Sequence, residues 1–171
     1  MRGSPILLAA ALALTVAACD RGSAPDKATQ AAVFKHDLPE DVSGYYIPTT
    51  AVQVGDWRLH HLFMGQVPDF MAWRDGQRTA GFAPIMMEFE AGDKTRRTRL
   101  IPTAYDVTED RVRFQATSRD LGAVSFEGRL DQDALAKARR NLGDQGVVVK
   151  GTLKVGGRTF DGVSMRWWAG D

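Results

Sequence analysis

Apolar and polar residues alternate most regularly in the second half of the chain. In Arg111–Thr117 the apolar set is Val112, Phe114 and Ala116. In Ala123–Leu130 it is Val124, Phe126 and Leu130. In Val147–Val155 it is Val147, Val149, Leu153 and Val155, with Lys150 and Lys154 on the other face. Gly156-Gly157 then turns the chain into Thr159–Trp168, where Val163, Met165 and Trp167 share a face. Successive side chains of a strand point to opposite sides of a sheet, so a period of two predicts strands with one buried face.

The first half is less regular. Trp57–Met64 is aromatic and aliphatic and follows Gly55. Phe70–Trp73 is a short apolar run that ends at Asp75-Gly76, a tight-turn dipeptide. Phe82–Glu90 reads as a strand, Ala91–Lys94 as a turn, and Arg97–Val107 as one strand interrupted at Pro102. One helix is expected from Asp131 to Leu142. Asp131 can cap it, Asp133 lies in its first turn, and Lys137, Arg139 and Arg140 complement the negative end of its dipole. Leu135, Ala138 and Leu142 form a narrow stripe, and Gly143 is placed to stop the helix. Short strands without a βαβ rhythm predict an all-β domain. The expected architecture is an antiparallel β-barrel of about eight strands with one helix before the last hairpin, because closure removes exposed edges. A β-sandwich is the alternative.

The N-terminus carries a different pattern. One positive charge, Arg2, precedes an almost unbroken aliphatic and alanine run from Ile6 to Ala18. A helix needs about 20 apolar residues to span a bilayer, so this run has the length of a signal-peptide core. It ends in Val16-Ala17-Ala18-Cys19, which resembles the bacterial lipobox of an aliphatic residue, two small residues and Cys. The resemblance implies cleavage before Cys19, lipidation at Cys19 and a membrane anchor on the periplasmic side of the cell envelope. Cys19 is the chain's only cysteine. Asp20 resembles the signal that retains enterobacterial lipoproteins in the inner membrane, so that membrane is expected over the outer one. The organisation read from this is a signal peptide over 1–18, a flexible tether over 19–37 and one β domain over 38–171.

Charge narrows the function. The chain has 22 Lys+Arg and 21 Asp+Glu. Removing Arg2 with the signal leaves 21 of each, and a balanced surface argues against a nucleic-acid partner. No intrachain disulfide can form from one lipidated cysteine, so the domain depends on its own core.

The candidate chemistry is sparse. Gly55-Asp56-Trp57 resembles the Gly-x-Trp that opens lipocalin-like (calycin) barrels, and that resemblance implies a late arginine over the Trp, for which Arg166 is the candidate. His60 and His61 are adjacent in a strand, so alternation sends them to opposite faces. No metal site and no other cofactor is expected. Glu88 and Glu90 share a face and are expected to pair across a hairpin with the basic run Lys94–Arg99. That run is read as a solvated strand end. Nucleophile-elbow, phosphate-loop and His-Glu-x-x-His motifs are absent from the sequence, so no catalytic residue is assigned. The methionines of the strands can fill a core or form an adaptable apolar wall. The function expected is a non-catalytic binding module for an apolar small molecule or an envelope protein, with Trp57, Met87, Phe114 and Phe126 as candidate ligand lining. The alternatives are an envelope hydrolase using Glu88 or His61 as base, and a purely structural lipoprotein.

Overall fold

The computed structural model describes residues 33–170. The expected signal peptide, Cys19 and the expected tether as far as residue 32 lie outside the described residues.

The alternating segments form the strands they predict. β1 is Phe34–Asp37, β2 Gly44–Pro48, β3 Gln53–Val54 and β4 Trp57–Met64. A helix α1, Val67–Arg74, separates β4 from β5, Ile85–Ala91. There follow β6 Arg97–Leu100, β7 Ala104–Thr108, β8 Arg111–Ser118 and β9 Gly122–Leu130. Helix α2, Gln132–Arg140, precedes the final hairpin of β10, Val147–Val155, and β11, Arg158–Trp168. Val112, Phe114, Val124, Phe126, Val149 and Leu153 are all buried in one core, none more than 2% exposed.

The eleven strands make one sheet in the order β1-β7-β8-β9-β10-β11-β2-β4-β5-β6, with β3 paired to β4. The domain is all-β in the main, but it is not a clean antiparallel eight-stranded barrel. It is a mixed sheet curled into a half-barrel. The short link around Pro102 requires the curl. Instead of one interrupted strand, Arg97–Val107 forms β6, which pairs with β5 near one end of the sheet, and β7, which pairs with β8 near the other. Only Ile101, Pro102 and Thr103 join them. Those residues can cover at most about 14 Å, so the two flanks must face each other.

Two further expectations are corrected. The sheet begins at Phe34, inside the expected tether, because β1 pairs in parallel with β7. Phe34 packs edge-on against Trp73 and Tyr105, and His36 stacks on Phe70 at 4.1 Å. The Phe70–Trp73 run is helical, not extended. Pro68 lies in the first turn of α1, and the Asp69 carboxylate accepts a hydrogen bond from Gln66 N–H at 2.8 Å. Phe70 and Trp73, three apart, both face the core. Asp75-Gly76 therefore ends a helix rather than turning a hairpin. Gly76 has φ +89°, the left-handed conformation usual just past a helix end.

Helix α2 keeps its expected cap, with Asp131 accepting from Ala134 N–H at 2.9 Å. It ends at Arg140, before Gly143, and Leu142 is left exposed. Arg139 ties the helix to the segment that precedes β2: it donates to Asp41 Oδ2 at 2.6 Å and lies 5.5 Å from the Trp167 ring centre.

Candidate functional site

Strand β4 departs from strict alternation at its middle. Leu59, Leu62 and Met64 all face the core, so the inward positions change from odd to even between Leu59 and Leu62. Three-residue spacing on one face requires an extra residue. The register with β5 shows it: Leu59 is opposite Phe89 and His61 is opposite Glu88, leaving His60 as a bulge. The expectation that His60 and His61 point to opposite faces is therefore overturned. Both rings lie on the outer face, with Nδ1 of one 2.7 Å from Nδ1 of the other. At that distance one ring donates a hydrogen bond and the other accepts it.

The outer face of β5 is equally unusual. Glu88 and Glu90 are buried although they point away from the core. Three arginines cover them, as expected of a cross-strand ion-pair set. Arg97 donates to Glu88 Oε1 and to Glu90 Oε1, each at 3.2 Å. Arg99 donates to Glu88 Oε2 at 3.3 Å, and Arg58 to Glu90 Oε2 at 2.9 Å. The Arg58 hydrogen bond holds Glu90 below the usual carboxylate range, burial opposes that, and the charges of His60, Arg97 and Arg58 add to it. His60 Nδ1 lies 3.9 Å from Glu88 Oε1. Burial pulls the His61 imidazole down to about 4; Glu88 opposes this, and His60, Arg99 and Arg97 reinforce it. His61 is thus neutral near pH 7. His60, His61 and Glu88 each offer one ligating atom, all within 4.8 Å of one another.

An aromatic row borders this polar cluster. Trp168 is opposite Tyr45, Tyr45 opposite Phe63, and Phe63 opposite Met86, across β11, β2, β4 and β5. Tyr45 meets the His61 ring edge-on at 4.9 Å. Phe82 packs on Phe63 and is 42% exposed. Beside the row lies a groove of about 450 Å³, with Tyr45, Phe63, Phe82 and Trp167 among its lining and Asp69 and Arg139 at its polar side.

The residues assigned as ligand lining are not brought together as one exposed wall. Met87, Phe114 and Phe126 are wholly buried in the core. Trp57 lies at the start of β4, half-buried, with the Arg96 guanidinium 5.3 Å from its ring centre. Arg166, the expected partner of Trp57, stands on β11 opposite Ile47 and Val147. The outer aromatic row and the histidine pair were not foreseen. The signal for the pair was present: Leu59-His-His-Leu62 places core residues three apart in a strand.

No protein-family model, curated protein or solved structure matches this chain.

Proposed function

We propose that this chain is a lipid-anchored periplasmic binding module that takes an envelope protein on the outer face of its sheet. The observation that carries this reading is the row Trp168, Tyr45, Phe63 and Met86 with exposed Phe82 at its edge. Aromatic side chains that are half-buried on a sheet's outer side, beside charged groups, are what the centre and rim of an interface need. The burial of Met87, Phe114 and Phe126 favours this face over a lumen for a small ligand. The neutral state of His61 at pH 7 favours binding over acid–base hydrolysis, since an imidazole near 4 is a weak base at neutrality. The anchor in this reading is Cys19, and the membrane is the inner one by the resemblance of Asp20.

Two experiments test it. A photoreactive amino acid at Phe82 in the full chain is expected to give a discrete adduct in intact cells. One at Gln115, on the other flank of the sheet, is not. Loss of the Phe82 adduct on Tyr45→Ala would place the contact on this row; equal adducts at both sites would remove the reading. Fatty-acid labelling should disappear in Cys19→Ser, and retained label would refute the anchor.

A further inference from the structure

We propose that His60, His61 and Glu88 form a metal site for a late first-row divalent ion, with copper(II) as the best fit. The site owes its existence to the β4 bulge, which aims two consecutive imidazoles at the carboxylate opposite them. Bulges re-aim side chains in this way next to functional sites. The donors are two imidazoles and one carboxylate, a set that suits ions of the imidazole-preferring class.

The separations show how far the donors must move to share an ion. Imidazole nitrogens sit about 2.0–2.1 Å from such an ion. Neighbouring ligands are then about 2.9 Å apart in a square plane and about 3.4 Å apart in a tetrahedron, and ligands opposite each other in a square plane are about 4.1 Å apart. The two Nδ1 atoms are 2.7 Å apart, and His60 Nδ1 is 3.9 Å from Glu88 Oε1. The third separation is wider, since His61 and Glu88 are not within ion-pair distance and the three donor atoms lie within 4.8 Å of one another. Glu88 therefore has to move inward to bind, and the donor types rather than a preformed polygon select the ion. Among the late first-row divalent ions, copper(II) binds such nitrogen and oxygen donors most tightly. The ring that carries its hydrogen on Nδ1 moves it to Nε2, so both nitrogens present lone pairs. His60 is 35% exposed, which gives the ion access and leaves remaining positions for water.

Arg97 and Arg99 work against the ion, since both hold Glu88. Arg97 can give up Glu88 Oε1 while keeping Glu90 through its other terminal nitrogen. The guanidinium is therefore a competitor whose removal should tighten binding, a result that adventitious surface binding would not produce.

The chain has three histidines, so the test is compact. The full chain in detergent is titrated with copper(II) by calorimetry and followed by electron paramagnetic resonance. One equivalent is expected, with hyperfine coupling to two nitrogens. His60→Ala and His61→Ala should each weaken binding ten-fold or more, and Glu88→Gln several-fold. Arg97→Gln should tighten it several-fold, and His36→Ala should leave it within two-fold. Should His61→Ala unfold, His60→Ala decides alone, because that ring is the more accessible. Copper affinity unchanged in His60→Ala, nitrogen couplings lost in His36→Ala, or weaker binding in Arg97→Gln would each overturn the proposal.

Discussion

His61 lies 2.7 Å from His60, nitrogen to nitrogen, although the two are consecutive residues of one strand. An unbroken pleat cannot place them so. The bulge at His60 makes the contact, and it does so without disturbing the core: Leu59 and Leu62 both remain buried.

If His60 is an inserted residue, its deletion should restore strict alternation in β4. Trp57, Leu59, Leu62 and Met64 would then still face inward. The deletion is expected to keep a cooperative unfolding transition and to lower stability by no more than about 1–2 kcal/mol. Deleting Phe63 instead should turn Met64 outward and cost several times as much. Thermal unfolding of the two variants decides the matter; equal losses would show that the bulge is not a removable unit.

The core predicts a large effect at Phe114. It is fully buried and stands opposite Phe126 and Tyr105 on the neighbouring strands. Phe114→Ala should destabilise by about 3–5 kcal/mol. Denaturant unfolding measures this directly, and a loss under about 1 kcal/mol would mean the interior is loosely filled.

The ion-pair set should respond asymmetrically. Glu88→Gln leaves Arg97 and Arg99, both about half exposed, free to turn to water. It should cost about 1 kcal/mol. The double change Arg97→Ala with Arg99→Ala leaves a buried carboxylate without its partners and should cost about 2–3 kcal/mol, after allowance for solvent screening. Equal costs would indicate that Glu88 is solvated in spite of its burial.

Acid should weaken the metal-free fold through its histidines. Burial lowers both His36 and His61, His61 to about 4, against an ordinary value near 6.5. Between the two values the unfolded chain binds protons that the folded chain does not. Stability is therefore full above about pH 6.5 and falls as pH drops towards 4. For His61 the upper limit is about 3 kcal/mol, and screening at a partly exposed ring reduces it to about 1–2 kcal/mol. His61→Gln should flatten the unfolding midpoint between pH 6.5 and 4, and His36→Gln should flatten it just below pH 6.5, both with chelator present. An unchanged slope in both would refute the assignment.

The fold was legible where one face alone is buried. β8 and β9 show this, since Val112, Phe114, Val124 and Phe126 alternate with charged or small residues. β10 follows the pattern only from Val149 on, because Val147, expected to face inward, is 43% exposed and Val148 is buried. β5 was less legible because both of its faces are buried, one by the core and one by arginine side chains. β1 is not legible in the sequence because it has four residues and its partner, β7, is some seventy positions away. α1 reads as a strand in the sequence because its eight residues carry little amphipathic signal beyond Phe70 and Trp73. The ion pairs of Glu88 and Glu90 could be read from charge and hairpin spacing. The histidine pair could not be read by a rule of alternation that the chain itself breaks.

The three-residue link Ile101–Thr103 also has a kinetic consequence. β4-β5-β6 on one side of it and β7-β8-β9-β10-β11 on the other are each runs of sequence neighbours paired in order. Such meanders close short loops and can form early. They are joined through β2 and β11, where Tyr46 meets Trp167 across most of the domain's length. That seam closes the largest loop in the sheet, so its formation should be the slow step, and a weakened seam would expose two half-sheets with open edges before any strand within them is lost.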